Sequence, residues 1–130
     1  MMKIETAKQF IKRKEKEYIK EKDKLIKFKD IGRKGKHLVI REAWIFMKQF
    51  NQPNKVFIFE RLRKHSTEGK SAYVTSTVGS LEYRFGYYIL GKIGKMNGRW
   101  TWGQYCPLIP VKDFEKLIKL AKEKGVILKE

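Results

Sequence analysis

The chain has 130 residues, of which 31 are lysine or arginine and 14 are aspartate or glutamate, so the formal net charge is +17. The length predicts a single domain, 1–130, and the hydrophobic content of 42% argues against a disordered chain. No apolar run reaches the ~18 residues of a membrane-spanning helix, and the first residues lack the apolar stretch of a cleaved secretion signal. We therefore expect a strongly basic cytoplasmic domain with no membrane partner.

The N-terminal segment, residues 1–30, is predicted to be a basic amphipathic helix. Over residues 4–28, apolar side chains recur at three- and four-residue spacing, among them Phe10, Ile11, Tyr18 and Leu25. Such a stripe favours a lid packed across a sheet over a free basic helix lying on phosphate or on a membrane.

A basic, glycine-containing linker, 32–37, follows the first helix, and a second helix is predicted over residues 37–50. Ile40, Ala43, Trp44 and Met47 have the i, i+3, i+4, i+7 spacing of a helix face. The apolar run 44–46 would also suit a strand, so the choice between helix and strand stays open here.

Residues 55–105 are predicted to form an antiparallel sheet of about four strands. Alternating apolar and polar side chains, separated by turn residues, mark strands at 55–64, 71–78, 81–90 and 99–105, with a turn at 65–69. A C-terminal amphipathic helix over 111–124 follows, with Phe114, Leu117, Ile118 and Ala121 on one face and Gly125 at its end. The predicted fold class is therefore α+β, an antiparallel meander with helices packed on the sheet.

Metal, cofactor and covalent chemistry find little support in the sequence. His37, His65 and Cys106 are its only histidines and cysteine, no zinc-type spacing or phosphate-binding loop occurs, and one cysteine cannot form an internal disulfide. We expect no metal and no cofactor. A small nuclease or nucleic-acid-modifying enzyme is the second alternative function, since Glu60 and Glu82 on strands, with Glu42, could approach one another.

The main functional signal is positive charge interleaved with aromatic residues in the middle of the chain. Residues 31–112 carry a net charge of +11 and 13 of the 17 aromatic residues. Phosphates are bound by lysine and arginine, and arginine also stacks on bases. We therefore expect a non-catalytic module that binds DNA or RNA electrostatically, with contact residues Arg61, Arg63, Lys64, Arg84, Lys92, Lys95 and Arg99.

This expectation depends on the strand arginines forming one cationic surface. The tryptophans and phenylalanines are expected in the core rather than on a stacking platform. A protein-interaction module of a phage or mobile element that binds an acidic partner is the first alternative, because positive charge serves that use equally well.

Overall fold

Two helices and five antiparallel strands make up the computed structural model, which describes residues 3–29, 36–68 and 78–129. Helix α1 spans Ala7–Glu21 and helix α2 spans Val111–Glu123, as expected for the C-terminal helix. The strands are β1 Leu25–Lys29, β2 Lys36–Lys48, β3 Lys55–Glu68, β4 Leu81–Leu90 and β5 Trp100–Trp102. The predicted α+β class is confirmed, with five strands rather than about four.

The strands lie in chain order across the sheet, and the two helices cover its opposite faces. On one face α1 buries Phe10 and Tyr18 against Phe46, Val56 and Ile58. On the other face α2 buries side chains from alternate positions of the same strands; that cluster contains Ile45, Met47, Phe57, Tyr87, Leu117, Ala121 and Val126. The expected lid over the sheet is therefore confirmed for α1. The expected core position is confirmed for Phe57 and Trp100 but is wrong for Trp102, which is 36% exposed.

The helix predicted over residues 37–50 is wrong, because this segment forms strand β2. Its side chains alternate between the helices: Ile45 and Met47 pack on the α2 side, whereas Trp44 and Phe46 pack on the α1 side. A strand covered on both faces has a continuous apolar run instead of an alternating one. Such a run can match helical spacing by coincidence, which explains the error.

The predicted first helix is too long, since α1 ends at Glu21 and residues 25–29 form β1. Thr6 and Gln9 form a reciprocal capping box at the start of α1. After its end, Asp23 takes a positive φ of 67°, a conformation that aspartate tolerates better than most residues. The chain thus reverses, and β1 pairs with β2 from Leu25 opposite Ile40 to Lys29 opposite Lys36.

Other boundaries also differ from those predicted. Strand β3 continues to Glu68, so the turn predicted at 65–69 is wrong for residues 65–68, and β5 is shorter than the predicted strand 99–105. Residues 32–35 of the predicted linker and residues 71–77 of the predicted strand 71–78 lie outside the described residues. The strand predicted over 81–90 is confirmed.

The sheet curls around α1. On a flat sheet β1 and β4 would be three strand spacings apart, about 14 Å. The Arg84 guanidinium carbon on β4 nevertheless lies 4.1 Å from the ring centre of Phe28 on β1, and 4.1 Å from that of Trp102 on β5. Two register shifts in the β2–β3 pairing, at Glu42 and at His65, add local bending. The α1 side is therefore the concave face, and the α2 side is the convex face.

Candidate functional site

Two of the predicted contact residues, Arg61 and Arg63, lie on the convex face and share one carboxylate. Nε of Arg61 donates to Glu42 over 3.0 Å, and Nε of Arg63 donates to the other Glu42 oxygen over 2.7 Å. Arg61 also donates to the backbone carbonyls of Gly125 and Val126, which follow α2. Arg61 thus links the end of α2 to the sheet by hydrogen bonds. Arg63, with 46% of its side chain exposed, is the more accessible of the two arginines.

Arg84 lies on the concave face, in a buried charge cluster. Glu60 is fully buried and accepts a 2.6 Å hydrogen bond from Nε of Arg41. Nε of Arg84 is 3.0 Å from the second Glu60 oxygen, a charge pair that lacks hydrogen-bond geometry. The Arg84 guanidinium is held between the Phe28 and Trp102 rings. This cluster ties β2, β3 and β4 together beneath α1.

The expectation that the strand arginines form one cationic surface is therefore wrong. Cross-strand partners point to the same face, so Arg84 follows Glu60, whereas Arg61 and Arg63 occupy the alternate positions of β3. Glu42 lies between Arg61 and Arg63 and offsets one of their two positive charges, and Glu60 pairs with Arg84 on the other face. Pairing of each arginine with a carboxylate from a neighbouring strand stabilises the sheet.

The remaining predicted contact residues divide into one buried and three exposed. Lys64 is only 5% exposed, and its Nζ lies 3.1 Å from Nδ1 of His37. Lys92, Lys95 and Arg99 are exposed and lie together in the β4–β5 connection, which the backbone closes by a 2.8 Å hydrogen bond from Gly91 to Arg99. The structure thus leaves three predicted contacts accessible at one end of the sheet.

The carboxylates predicted for an enzymatic alternative do not form a cluster. Glu60 points to the concave face and Glu42 to the convex face, each bound to arginines. Within residues 3–29, 36–68 and 78–129, no group of three His, Cys, Asp or Glu side chains could hold a metal ion. The approach of Glu60, Glu82 and Glu42 that metal-dependent cleavage would need is not formed.

The acidic side chains of α1 and of the residue before its cap are all engaged. Arg13 binds Glu5 over 2.8 Å and Glu17 over 3.0 Å, and Lys14 also pairs with Glu17. Towards the sheet, the indole nitrogen of Trp44 donates to Glu15 over 2.8 Å. Arg41 donates to Glu21 over the same distance. The negative charges of this segment are therefore used in contacts within the protein.

The outer face of α1 is basic and contains no carboxylate. At 100° per residue, Lys8, Lys12, Lys16 and Lys20 fall within an arc of about 120° opposite the buried residues of the helix. All four are exposed, and none has an ion-pair partner among the residues that the structure describes. We call these four residues the lysine row. Its separation from the paired carboxylates makes it the most positive helix face described.

Our sequence interpretation considered a basic helix lying on phosphate, favoured the lid instead, and did not identify the lysine row. Residues 1–30 have a net charge of only +5, and this value hides the separation of positive and negative charge between the two sides of the helix. The i, i+4 repetition of lysine at positions 8, 12, 16 and 20 is visible in the sequence and would have found the row.

The Glu42 pairing predicts a loss of stability in acid. Partial burial alone would raise the pKa of the Glu42 carboxyl, but hydrogen bonds from Arg61 and Arg63 outweigh burial and lower this pKa. Because the unfolded value, about 4.3, is the higher one, the stabilisation is complete above it and disappears as pH falls through the folded-state pKa. We expect the free energy of unfolding to fall between pH 5 and pH 3, measured by urea denaturation.

Glu42→Gln tests that assignment. The variant should lose about 1 kcal/mol at pH 7 and show a shallower decline in acid, because it has no carboxyl to protonate. An unchanged pH profile in Glu42→Gln would show that other carboxyls cause the decline; Glu5 is one candidate, since a hydrogen bond from Arg13 lowers its pKa.

No helix in the described part of the chain is both long and apolar enough to cross a membrane. Comparison with protein-family models, with curated proteins and with solved structures gives no match, so the site has to be interpreted from its own geometry.

Proposed function

We propose that this protein binds nucleic acid electrostatically, through the lysine row on the outer face of α1. The observation that carries the proposal is the charge separation on this helix. Every carboxylate of α1 is engaged in a contact within the protein, whereas Lys8, Lys12, Lys16 and Lys20 face solvent unpaired by described residues. The net charge of +17 adds long-range attraction for a polyanion.

The dimensions of the lysine row suit a phosphate backbone. Twelve residues separate Lys8 from Lys20, which corresponds to about 18 Å along a helix. Phosphates of one B-DNA strand rise by about 3.4 Å each along the duplex axis while the strand winds around it, so the row is long enough to reach several phosphates. The long flexible lysine side chains can adjust to phosphates that do not match the helical spacing.

The energetics of the helix also favour a role for the row outside folding. Lysines four residues apart repel each other, and each such pair costs an isolated helix about 0.2–0.5 kcal/mol. The row contains three successive pairs of this kind, and none of its lysines forms an ion pair with a described residue. A bound polyanion would remove this repulsion.

A second basic segment adjoins the N-terminal end of α1. The indole nitrogen of Trp100 donates to the Glu5 carbonyl over 3.0 Å, so the start of α1 lies beside β5. Arg99 directly precedes β5, and Lys92 and Lys95 belong to the same exposed connection. These three residues would extend the contact from the lysine row.

The proposal predicts a large loss of affinity in a Lys12→Gln/Lys16→Gln variant. Each phosphate contact contributes about 0.9 to the slope of log K against log [salt] on duplex DNA. Loss of two contacts should lower the slope by about 1.8 and weaken binding at 0.1 M salt by about sixty-fold. Fluorescence anisotropy with a labelled 20-base-pair duplex, from 0.05 to 0.4 M NaCl, measures both quantities.

A matched control is available on the other helix. Lys116 and Lys119 are exposed on α2, so Lys116→Gln/Lys119→Gln removes the same charge from the opposite side of the sheet. This control should lose much less affinity. Equal losses in the two variants would show that only net charge matters. Displacement of the duplex by an acidic polypeptide at equal charge concentration would favour an acidic protein as the partner.

A further inference from the structure

We infer that the ligand of the lysine row is a nucleic-acid duplex, held by its phosphates without base stacking and without sequence preference. The inference rests on the proposed function and specifies the substrate class of the same site. Its basis is the set of side chains on the outer arc of α1 and the contacts that occupy the aromatic rings elsewhere.

The outer arc of α1 has no aromatic residue. Between the lysines it presents Gln9 and Ile19, the latter 63% exposed. Proteins that bind single strands without sequence preference stack successive bases on aromatic side chains, each base contributing about 1–3 kcal/mol. The row offers charge alone, so it lacks the main attraction by which a protein favours unpaired bases.

Most of the exposed aromatic rings in the described part of the chain have a ring or cation partner. Arg84 covers Trp102, whose ring centre also lies 5.1 Å from that of Tyr88. Tyr105 is 83% exposed, but it follows β5 and is not part of the outer arc of α1. Phe50 has Lys112 at 4.6 Å and Tyr83 has Phe59 at 5.4 Å. Phe114, 48% exposed, lies on α2, on the opposite side of the sheet from the row.

Sequence readout by α1 would need a free arginine fork or amide on its outer arc, apart from the exposed Arg99 before β5, which we assign to phosphate contact. Arginine recognises guanine through a bidentate hydrogen-bond pair in the major groove. Arg13 is the arginine of α1. All three of its guanidinium nitrogens are engaged, because Nε and Nη2 donate to Glu5 and Nη1 donates to Glu17. The amide on the outer arc, that of Gln9, is engaged in the capping box, where its Oε1 accepts from the Thr6 backbone N–H over 2.9 Å. The lysines that remain are point charges, and phosphate contacts position a protein without reading sequence.

The electrostatics of the row then favour a duplex over a single strand. Each contact contributes about 0.9 to the salt slope on B-DNA and about 0.7 on a single strand. With four contacts, log K at 0.1 M salt is therefore higher for the duplex than for the single strand by about 0.8, which means about six-fold tighter binding of the duplex. Even one stacked base would offset this preference or reverse it, since stacking contributes about 1–3 kcal/mol.

The test compares three 20-mer probes by anisotropy at 0.1 M NaCl: a DNA duplex, one of its strands alone, and a duplex of scrambled sequence. We expect the duplex to bind about six-fold more tightly than the single strand, and the two duplexes to agree within two-fold. Lys12→Gln/Lys16→Gln should weaken binding to both duplexes equally.

The outcomes separate the inference from the proposed function. Equal or tighter binding of the single strand, still weakened by Lys12→Gln/Lys16→Gln, would overturn the inference and leave the proposed function standing. A duplex preference of more than ten-fold between sequences would overturn the absence of sequence readout. No binding of any probe, or binding insensitive to the substitutions, would overturn the proposed function itself.

Discussion

Replacement of Glu60 by glutamine is expected to lower the free energy of unfolding by about 3–5 kcal/mol. Glu60 is fully buried and is the carboxylate that Arg41 and Arg84 share beneath α1. The variant keeps the size of the side chain but leaves two guanidinium groups without their common counter-charge. Because domains of this kind are stable by about 5–15 kcal/mol, the loss is a large fraction of the total. Urea denaturation followed by tryptophan fluorescence measures it.

Glu42→Gln is the matched control, since Glu42 also serves two arginines but is partly exposed. Its loss should be near 1 kcal/mol, several-fold smaller than that of Glu60→Gln. The triple variant Arg41→Met/Glu60→Leu/Arg84→Met should lose less than Glu60→Gln alone, because apolar residues can replace a complete buried charge cluster. A Glu60→Gln loss below 1 kcal/mol would show that water reaches this cluster.

Phe10→Ala is expected to lower the free energy of unfolding by about 3–5 kcal/mol as well. The Phe10 ring is fully buried between α1 and the concave face; its centre lies 4.7 Å from that of Trp100 and 5.0 Å from that of Tyr88. Truncation leaves a cavity beneath the helix that aromatic neighbours on separate strands cannot fill together. Thermal and urea denaturation, with far-ultraviolet circular dichroism as a check on folding, measure the effect.

Ile19→Ala on the same helix provides the comparison. Ile19 is exposed on the outer arc, so its truncation should change stability by no more than about 0.5 kcal/mol. Similar losses in Phe10→Ala and Ile19→Ala would contradict the packing described for α1.

The elements predicted correctly from the sequence are those whose apolar residues follow a single periodicity, either that of a strand or that of a helix. Strand β4 alternates between two faces, with Tyr87 towards α2 and Tyr88 towards α1, and helix α2 repeats its apolar residues every three or four positions. Strand β2 was ambiguous because both of its faces are covered. Its apolar run therefore shows burial without showing which secondary structure causes the burial.

The arginine pairing depends on information that the sequence pattern does not contain. Arg41 pairs with Leu62 in the sheet, whereas Ala43 pairs with Arg61, so Glu42 is the extra residue of a bulge. This bulge sets Glu42 beside Arg61 and Arg63 on the convex face. Strand neighbours and bulge positions decide which charges meet, and neither can be read from alternation. The lysine row, by contrast, follows from helical spacing alone.

The contacts that hold α1 also determine when it can be put in place. The Tyr18 hydroxyl on α1 shares a hydrogen bond with the hydroxyl of Tyr88, 70 residues later. The carbonyl of Glu5 accepts a hydrogen bond from Trp100, 95 residues later. The sheet itself consists of neighbouring hairpins, which close short loops and so assemble early. During synthesis α1 is therefore made before β4 and β5, so its contacts with Tyr88 and Trp100 can form only after β5 has left the ribosome, whereas its packing on Phe46 and Ile58 of β2 and β3 can begin earlier.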